Sequence, residues 1–463
     1  MGDEEVAHPY IPNSVPSVKK EMLKTIGVER IEDLYKHIPE EIRFKGKMSM
    51  PEPITSELEL RNHVLGILNK NGDPGEYRSF LGGGCWNHYV PAICDEINRR
   101  SEFLTAYAGD PYEDHGRFQA LFEYESMMGE LLDMDVVSVP TFSWGQAAAM
   151  SLRMASRITG RREVIVPDLM SKERLMVIRN YCDPSLIIRT VRHDRETGMI
   201  DLDDLKKNVS GDTAAVYFEN PAYLGFIETG GNEISDIAHK KGGMVVVGVD
   251  PISLGVLSPP SHYGADIVCG ELQSLGIHQH FGGGLGGFIS SPDDERIVME
   301  YPLRLFGTAK NSKGEQVFGD VAYERTSFAK REAGKDFVGT MAALWGITAG
   351  VYLALMGPKG MNELGNLIMK RSHFAMKKIG EISKVNIPFS KSPHFTEFIV
   401  DFKETGKNVK QINNYLLQNK IFGGLDLSND FPDLGNSALF SINEAHTLQD
   451  INFLVQKIKE AIL

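Results

Sequence analysis

The feature that most constrains the fold of this chain is an alternating pattern that begins near residue 114. Short runs rich in β-branched residues alternate there with amphipathic segments of helical length. Strands separated by helix-length spacers are typical of βαβ units, which build a mostly parallel sheet with helices on both faces. The runs are continuously apolar, as strands buried on both sides are, and they lie at 136–139, 164–167, 186–191, 214–218, 244–249 and 266–268. The pattern predicts an α/β fold.

Segments of different character flank this pattern, so the chain is predicted to have three parts. Residues 1–65 form an N-terminal arm, a polar stretch with short helical pieces at 17–26, 31–37 and 56–69. Residues 66–335 form the large α/β domain. Residues 336–463 form a junction helix and a smaller C-terminal α+β domain, with helices at 361–382, 409–418 and 448–462 and strands at 395–401, 421–423 and 438–442.

Charge and hydropathy narrow the class of protein. The net charge of −13 and the pI of about 5.5 argue against a protein that holds nucleic-acid backbones. Residues 337–357 carry no charge and are long enough to span a bilayer. Glycines and threonines dilute their hydrophobicity, however, so a buried helix is favoured over a membrane span. The four cysteines are scattered and no secretory leader is seen, so we expect reduced cysteines and a cytoplasmic location.

Candidate binding residues follow the predicted strands, because ligands of open parallel sheets bind beyond the carboxyl ends of the strands. After the strand at 136–139 the chain runs through Ser143 and Gly145 into a helix. The free N–H groups and the positive dipole end of a helix N-terminus suit a phosphate. Ordinary capping of the helix by Ser143 is at least as good an interpretation. The bulky Trp144 argues against a functional phosphate cup.

An acidic residue and a polar turn complete a familiar layout. Asp250 follows the strand at 244–249, and the segment 264–270 leads into a turn that contains Gln273. This layout resembles that of the aspartate-aminotransferase-like, fold type I pyridoxal-phosphate enzymes. In those enzymes the aspartate pairs with the protonated pyridine nitrogen, which deepens the electron sink, and a lysine in the second turn forms the Schiff base.

The layout lacks its defining residue. No lysine occurs between Lys241 and Lys310, and Gln273, which cannot form an imine, stands at the lysine position. We therefore expect no covalently bound cofactor and no catalytic residue on this chain, only a vestigial pocket formed by Ser143, Gly145, Asp250 and Gln273. The alternative is a self-sufficient pyridoxal-phosphate enzyme. It would need one of four lysines that follow no strand at the expected spacing: Lys310, Lys313, Lys330 and Lys335.

Other clusters carry weaker signals. The glycine-rich run 281–287 lacks the G-x-G-x-x-G order, so we interpret it as a tight turn lining the site and not as a dinucleotide cradle. His278 and His280 lie near Cys269, but no second ligand pair has zinc spacing, and no metal site is expected. Residues 86–89 (Trp-Asn-His-Tyr) form either a pocket wall or a packing corner with a satisfied histidine.

A series of segments spans nearly the whole chain: 10–13, 22–28, 38–43, 79–92, 103–107, 116–123, 264–270, 351–358 and 423–428. Each is moderately specific, and together, in this order, they resemble the P protein of the glycine cleavage system. Within that family the resemblance is to subunit 1, the alpha chain of the split forms. Two stretches depart from the family pattern, at 143–146 and 336–340.

The resemblance implies a reaction and its partners. The family takes glycine onto pyridoxal phosphate, releases the carboxylate as carbon dioxide, and passes the aminomethyl group to the lipoyl disulfide of the H protein. In split forms the two homologous halves are separate subunits and the lysine lies on the second. This implies an α2β2 assembly with the cofactor on the partner subunit, and Gln273 fits that division. A non-catalytic regulatory relative that reuses the fold stays open as an alternative.

Overall fold

A computed structural model describes residues 10–72, 75–103, 115–321, 325–334, 336, 338 and 341–463. The chain divides into two units, Met1–Asn71 and Gly72–Leu463. The first unit overlaps the predicted arm. The three-part division into 1–65, 66–335 and 336–463 stays a prediction.

The first unit is helical and buries none of its described residues. Its helices are Pro16–Ile26 (α1) and Glu57–Leu68 (α2), and a 3-10 turn lies at Ile31–Tyr35. Gly27, at a φ of 82°, ends α1 in the left-handed conformation that glycine adopts without strain. Helices of this length are marginal in water on their own. Their stability therefore does not come from a core within the unit.

The second unit contains all the described strands and the remaining helices. Its strands are Arg78–Ser79 (β1), Val136–Val137 (β2), Glu163–Pro167 (β3), Ile187–Val191 (β4), Thr213–Glu219 (β5), Met244–Val249 (β6), Ile267–Glu271 (β7), Gly287–Ser291 (β8), Phe306–Lys310 (β9), Gln316–Asp320 (β10), Glu397–Asp401 (β11), Ile421–Phe422 (β12), Leu425–Asp426 (β13) and Ser437–Ser441 (β14). Its helices are Ala92–Asn98 (α3), His115–Leu132 (α4), Trp144–Thr159 (α5), Lys172–Cys182 (α6), Leu202–Asn208 (α7), Gly231–His239 (α8), Glu295–Val298 (α9), Ala343–Gly380 (α10), Val409–Gln418 (α11) and Leu448–Ala461 (α12).

Seven strands form one sheet in the order β2-β8-β7-β6-β5-β3-β4. The pairs from β4 to β7 are parallel, whereas β8 and β2 run antiparallel to their neighbours at one edge. Alternate residues of β5 enter opposite apolar clusters, Tyr217 on one face and Val216 on the other. Only the edge strand β4 is largely exposed among the parallel strands. The predicted α/β class with a mostly parallel sheet is confirmed.

The uncharged stretch leads into α10, a long helix that packs on α4. A Cβ on Gly346 would lie 2.9 Å from Pro140, so small residues do allow the close approach that the sequence suggests. The separately predicted helix at 361–382 continues α10 after a break at Gly357, whose φ is 59°, and Pro358. Phe337, Gly339 and Thr340 lie outside the described residues. Over the part of the chain that is described, no helix has the length and apolarity that crossing a membrane requires.

The C-terminal part forms its own small sheet. β11, β14 and β13 pair antiparallel in that order, and α11 and α12 pack beside one another. This agrees with the predicted α+β character of the region. β1 pairs in parallel with β12, so the segment before Gly82 joins this part of the chain. The hairpin of β9 and β10 was not predicted.

Candidate active site

Asp250 lies directly after β6, at the carboxyl end of the central strands, with 4% of its surface exposed. Its Oδ1 accepts hydrogen bonds from the Ser274 hydroxyl at 2.8 Å and from the Ile252 N–H at 3.2 Å. Its Oδ2 is buried without a hydrogen-bond partner among the described residues. Burial raises the pKa of the carboxyl, against the charge of His88 and the bond from Ser274. One oxygen is thus left to receive a donor.

Gln273 clamps the backbone of Trp86. Its Oε1 accepts a hydrogen bond from the Trp86 N–H at 2.9 Å, and its Nε2 donates to the carbonyl oxygens of Trp86 at 3.0 Å and Ile277 at 2.9 Å. The side chain is buried, so its polar atoms are used within the protein. A lysine could not reproduce this arrangement, because an ammonium group accepts no hydrogen bond. The sequence did not indicate this clamp.

A carboxylate occupies the N-terminus of α5, where the sequence suggested a phosphate. Glu271, at the end of β7 and 2% exposed, accepts a hydrogen bond on Oε2 from the Trp144 N–H at 3.2 Å. Its Oε1 accepts from the N–H groups of Leu272 at 3.1 Å, Gln273 at 3.2 Å and Gly286 at 2.6 Å. We call these four N–H groups the Glu271 cradle. Burial raises the pKa of Glu271 to about 7, against the bonds of the cradle.

Ser143 and Gly145 serve the helix itself. Ser143 is the N-cap of α5, and its hydroxyl accepts a hydrogen bond from the Gln146 N–H at 3.3 Å. The Gln146 side chain in turn accepts from the Phe142 N–H at 2.8 Å. A Cβ on Gly145 would lie 3.1 Å from Val177, so this glycine lets α5 and α6 pack closely. The capping interpretation of Ser143 therefore matches the structure.

Charged and aromatic side chains fill the space around the start of α5. The Arg174 guanidinium lies over the Trp144 ring, 3.7 Å from its centroid, and forms a buried ion pair with Glu219 at 2.5 Å. The Trp144 indole N–H donates to the Tyr217 hydroxyl at 3.1 Å, and that hydroxyl donates to Glu219 at 2.9 Å. A Cβ on Gly248 would lie 2.6 Å from the indole nitrogen, so the cluster has no spare room on that side.

The space left beside this cluster is a cavity of about 20 Å³, lined by Gly84, Trp86, Trp144, Arg174, Pro221, Ala222, Tyr223, Gly225, Asp250, Phe395, Thr396 and Glu397. A volume of this size holds about one water molecule. Pockets for cofactor-sized ligands measure roughly 300–1,000 Å³. The carboxyl end of the sheet is therefore closed. We call this region the closed centre; it consists of the Glu271 cradle, Asp250 and the cluster of Trp144, Arg174, Tyr217 and Glu219.

His88 belongs to a buried ion pair, and it lies close enough to Asp250 for the charge of Asp250 to raise the pKa of His88. Its Nδ1 lies 2.9 Å from an oxygen of Glu444, whose other oxygen accepts a hydrogen bond from the Tyr89 N–H at 2.7 Å. Burial disfavours the charged imidazole, but Glu444 outweighs this and raises the pKa of His88. The same pairing lowers the pKa of Glu444 to about 2, although burial opposes it. Trp86 lines the cavity, as the pocket-wall interpretation predicts. The interpretation of His88 as a satisfied packing residue holds only for Nδ1, because its buried Nε2 has no hydrogen-bond partner among the described residues.

The remaining candidates lie elsewhere. His278 pairs with Asp95 at 2.9 Å, and His280 stacks on Trp345. The described parts of the chain hold no group of three or more side chains that could bind a metal ion. The glycine-rich run borders the closed centre through the N–H of Gly286.

The three alternative lysines that the structure describes lie away from Asp250. Lys310 and Lys313 lie exposed in the β9–β10 hairpin, and Lys330 pairs with Glu300. No lysine is among the described residues that line the small cavity. Lys335 lies outside the described residues, as do 104–107 of one family-like segment.

Comparison with known proteins identifies the family. The sequence model of the glycine cleavage system P-protein matches residues 8–458. The chain belongs to this family. Proteins of Staphylothermus marinus and Saccharolobus solfataricus, each described as probable glycine dehydrogenase (decarboxylating) subunit 1, are 37% identical to it, over 98% of this chain and 98% of theirs. The resemblance inferred from the sequence is confirmed.

Solved structures agree with the fold. A crystal structure described as glycine decarboxylase (P-protein) of the glycine cleavage system, in inhibitor-bound form, has a TM-score of 0.86 at 29% identity, covering 96% of this chain and 98% of that one. A sphingosine-1-phosphate lyase of Burkholderia pseudomallei has a TM-score of 0.65 at 13% identity, covering 92% of this chain and 94% of its own. The second likeness shows the fold alone, that of the fold type I pyridoxal-phosphate enzymes, as predicted.

The residues of this chain do not fit pyridoxal phosphate. Asp250 still offers a buried oxygen of the kind that a pyridinium nitrogen would need. No lysine lines the small cavity among the described residues, the N-terminus of α5 already holds Glu271, and the cavity admits about one water molecule. We therefore assign no chemical step on this cofactor to the residues of this chain.

Three residues of the closed centre escaped the sequence analysis: Arg174, Glu219 and Glu271. Arg174 lies within α6, where a charged side chain usually belongs to the solvated face of the helix. Glu219 and Glu271 are acidic residues at the ends of apolar strands, β5 and β7. That position was the available signal, because a carboxylate continuing a buried strand needs a partner. The same position therefore indicates Glu219 and Glu271 as well as Asp250.

Proposed function

We propose that this chain is subunit 1 of a decarboxylating glycine dehydrogenase, a half that is not catalytic alone and completes the enzyme with a homologous, lysine-bearing subunit 2. Similarity over nearly the full length to proteins described as probable subunit 1 supports the assignment to that subunit. The likeness to a solved glycine decarboxylase supports the reaction.

The observation that carries the proposal is the Gln273 clamp. A lysine at this position would be needed to bind the aldehyde of the cofactor. Here an amide stands in its place, and all its hydrogen bonds go to backbone groups of the same chain. Because the polar atoms of Gln273 are engaged in this way, its role is structural. This supports a subunit whose reactive amine lies on another polypeptide.

In this proposal subunit 2 binds pyridoxal phosphate, which supplies the electron sink for the carbanion left when glycine loses carbon dioxide. The aminomethyl group then passes to the lipoyl group of the H protein. Subunit 1 contributes a rigid fold of the same architecture, and the two chains assemble as α2β2. We place the enzyme in the cytoplasm, and the four free cysteines support a reducing compartment.

The test is to purify the two chains separately and then mix them. The chain described here, incubated with pyridoxal phosphate, should lack the visible absorbance of a lysine-linked cofactor and should not exchange the carboxyl carbon of glycine with bicarbonate. Both signals should appear when subunit 2 is added. Exchange by the isolated chain would reject the proposal.

The two alternatives give different results in the same experiment. A self-sufficient enzyme would retain cofactor on one of its own lysines after borohydride reduction, and peptide mapping would locate that lysine. A regulatory relative would fail to assemble with the lysine-bearing chain, or would assemble without restoring exchange.

A further inference from the structure

The N-terminus of α5 has the features of an anion site that is already filled. α5 is a helix of 16 residues, and its Trp144 N–H points at Glu271 together with three N–H groups from the turns after β7 and before β8. Such convergent N–H groups bind phosphate in other proteins, helped by the helix dipole. Here the anion is a side chain of the protein itself.

Two further observations indicate that the neighbourhood was shaped for a ligand. The positive charge of Arg174 acts on Glu271 and would favour any anion in the cradle. Asp250, of whose surface 4% is exposed, lines the adjoining cavity. Its Oδ2 has no hydrogen-bond partner in the described structure. An unpaired buried carboxylate oxygen is costly. The Oδ1 atom is already engaged with Ser274 and the Ile252 N–H, so only Oδ2 is left for a hydrogen-bond donor on a ligand.

We propose that the Glu271 carboxylate is a built-in occupant of a phosphate site. In this view the chain rejects phosphorylated ligands because its own side chain fills the Glu271 cradle, and removal of that side chain alone exposes a site for a tetrahedral oxyanion. This inference rests on the proposed function, since it explains how one half of the enzyme leaves the cofactor to the other.

The geometry of the Glu271 cradle would let a phosphate group take the place of the Glu271 carboxylate. The Glu271 carboxylate and a phosphate group both present oxygen acceptors to N–H donors, and charge-assisted bonds of this kind are stronger than neutral ones. Glu271 also acts electrostatically on the thiol of Cys85, which is only partly buried.

The experiment compares wild type, Glu271→Ala and Glu271→Gln for binding of inorganic phosphate, measured by ³¹P NMR and by calorimetry on the full chain. Glu271→Gln is the matched control, because it removes the charge and keeps the space filled. We expect Glu271→Ala to bind phosphate at least about tenfold more tightly than either of the others. If Glu271→Ala does not fold, Glu271→Ser, which keeps one acceptor in the cradle, takes its place.

Two outcomes would overturn the inference. The first is a folded Glu271→Ala or Glu271→Ser chain that binds phosphate no better than wild type. The second is binding by Glu271→Gln as tight as binding by Glu271→Ala. Neither outcome touches the proposed function, which fails only if the wild-type chain links the cofactor or exchanges glycine by itself.

Discussion

The carboxylates of the closed centre are buried, whereas most of those that line a second, open cavity are exposed to water. The open cavity measures about 450 Å³, lies beside α4 and β2, and is lined in part by Glu125, Glu130, Asp133, Asp135 and Asp293. All of these except Glu125 are exposed, so water solvates them. In the closed centre, by contrast, the carboxylates of Glu219 and Glu271 are buried against a guanidinium and a set of N–H groups.

The difference shows how a ligand pocket can be closed without becoming apolar. Burying a carboxylate is costly unless a cation or hydrogen-bond donors replace its water. The closed centre meets that requirement with donors of the kind a bound cofactor would use. Its stability should therefore depend on single polar residues, whereas the open cavity should tolerate the loss of a charge. Five substitutions, one of them combined with Arg174→Met, test this contrast.

The largest effect is expected from Arg174→Met. The substitution leaves the buried Glu219 carboxylate without its cation, which costs about 3–5 kcal/mol when a buried pair is broken from one side. The midpoint of urea unfolding, followed by circular dichroism, should fall accordingly. Arg179→Met, an exposed site on the same helix, is the matched control and should leave the midpoint unchanged.

Adding Glu219→Gln to Arg174→Met should recover part of the lost stability, because it removes the unpaired charge. A double variant no more stable than Arg174→Met would show that stacking on Trp144, and not the ion pair, is the main contribution of Arg174.

The next largest loss of stability is expected from Gln273→Met. Methionine has a similar length but leaves the N–H and carbonyl groups of Trp86 unpaired, at about 1–3 kcal/mol for each buried group without a partner. Thermal unfolding should detect the loss, and Gln418→Met on the exposed face of α11 is the control. An unchanged melting temperature would mean that the clamp is not structural.

Most of the parallel strands could be predicted because strands buried on both faces are apolar along their whole length. Runs such as 214–218 and 244–249 are apolar throughout, and they became β5 and β6 at the centre of the sheet. The β9–β10 hairpin was missed since its residues are largely exposed and carry no such pattern. The two helices predicted on either side of Gly357 meet at a break, where Gly357 leaves the helical conformation and Pro358 follows it.

The site could be predicted only in part. Position after a strand identified Asp250 and Gln273, since that rule depends on sheet topology alone. The partner of a buried polar group is a three-dimensional property, so the contact of Gln273 with Trp86, far away in the sequence, left no local signal. The same holds for Glu271, whose partner Trp144 was noted only for its bulk.

The effect of Glu444→Gln on the free energy of unfolding should depend on pH. The pKa of Glu444 is lowered from 4.5 to about 2, so its contribution to stability is present above about pH 4.5 and is lost as the pH falls toward 2. The pKa of His88 is raised above 6.5, so its contribution is full below that pH and is lost as the pH rises through the folded value. The difference in stability between wild type and variant should therefore peak between about pH 4.5 and 6.5, at about 1.5–3 kcal/mol for charged hydrogen bonds.

Unfolding curves measured from pH 3 to 9 would test this window, with the exposed Glu363→Gln as control. A difference that stays constant across the range would exclude the ion pair as its source.

The smallest effect at acid pH is expected from Glu125→Gln, in the open cavity. Burial raises the pKa of Glu125 well above its ordinary value, and the charge of Asp320 adds to this, against the bond from the Phe306 N–H. The folded chain thus keeps a proton that the unfolded chain loses above about pH 4.5. Stability of the wild type should fall as the pH rises through this range, whereas glutamine, which resembles the neutral acid, has no proton to lose.

The Glu125→Gln variant should match the wild type near pH 4.5 and exceed it in stability at pH 8. The control, Glu123→Gln on the exposed face of α4, should follow the wild-type curve. If instead Glu125→Gln were less stable at every pH, the carboxyl would be charged and paired, and the contrast between the two regions would not hold.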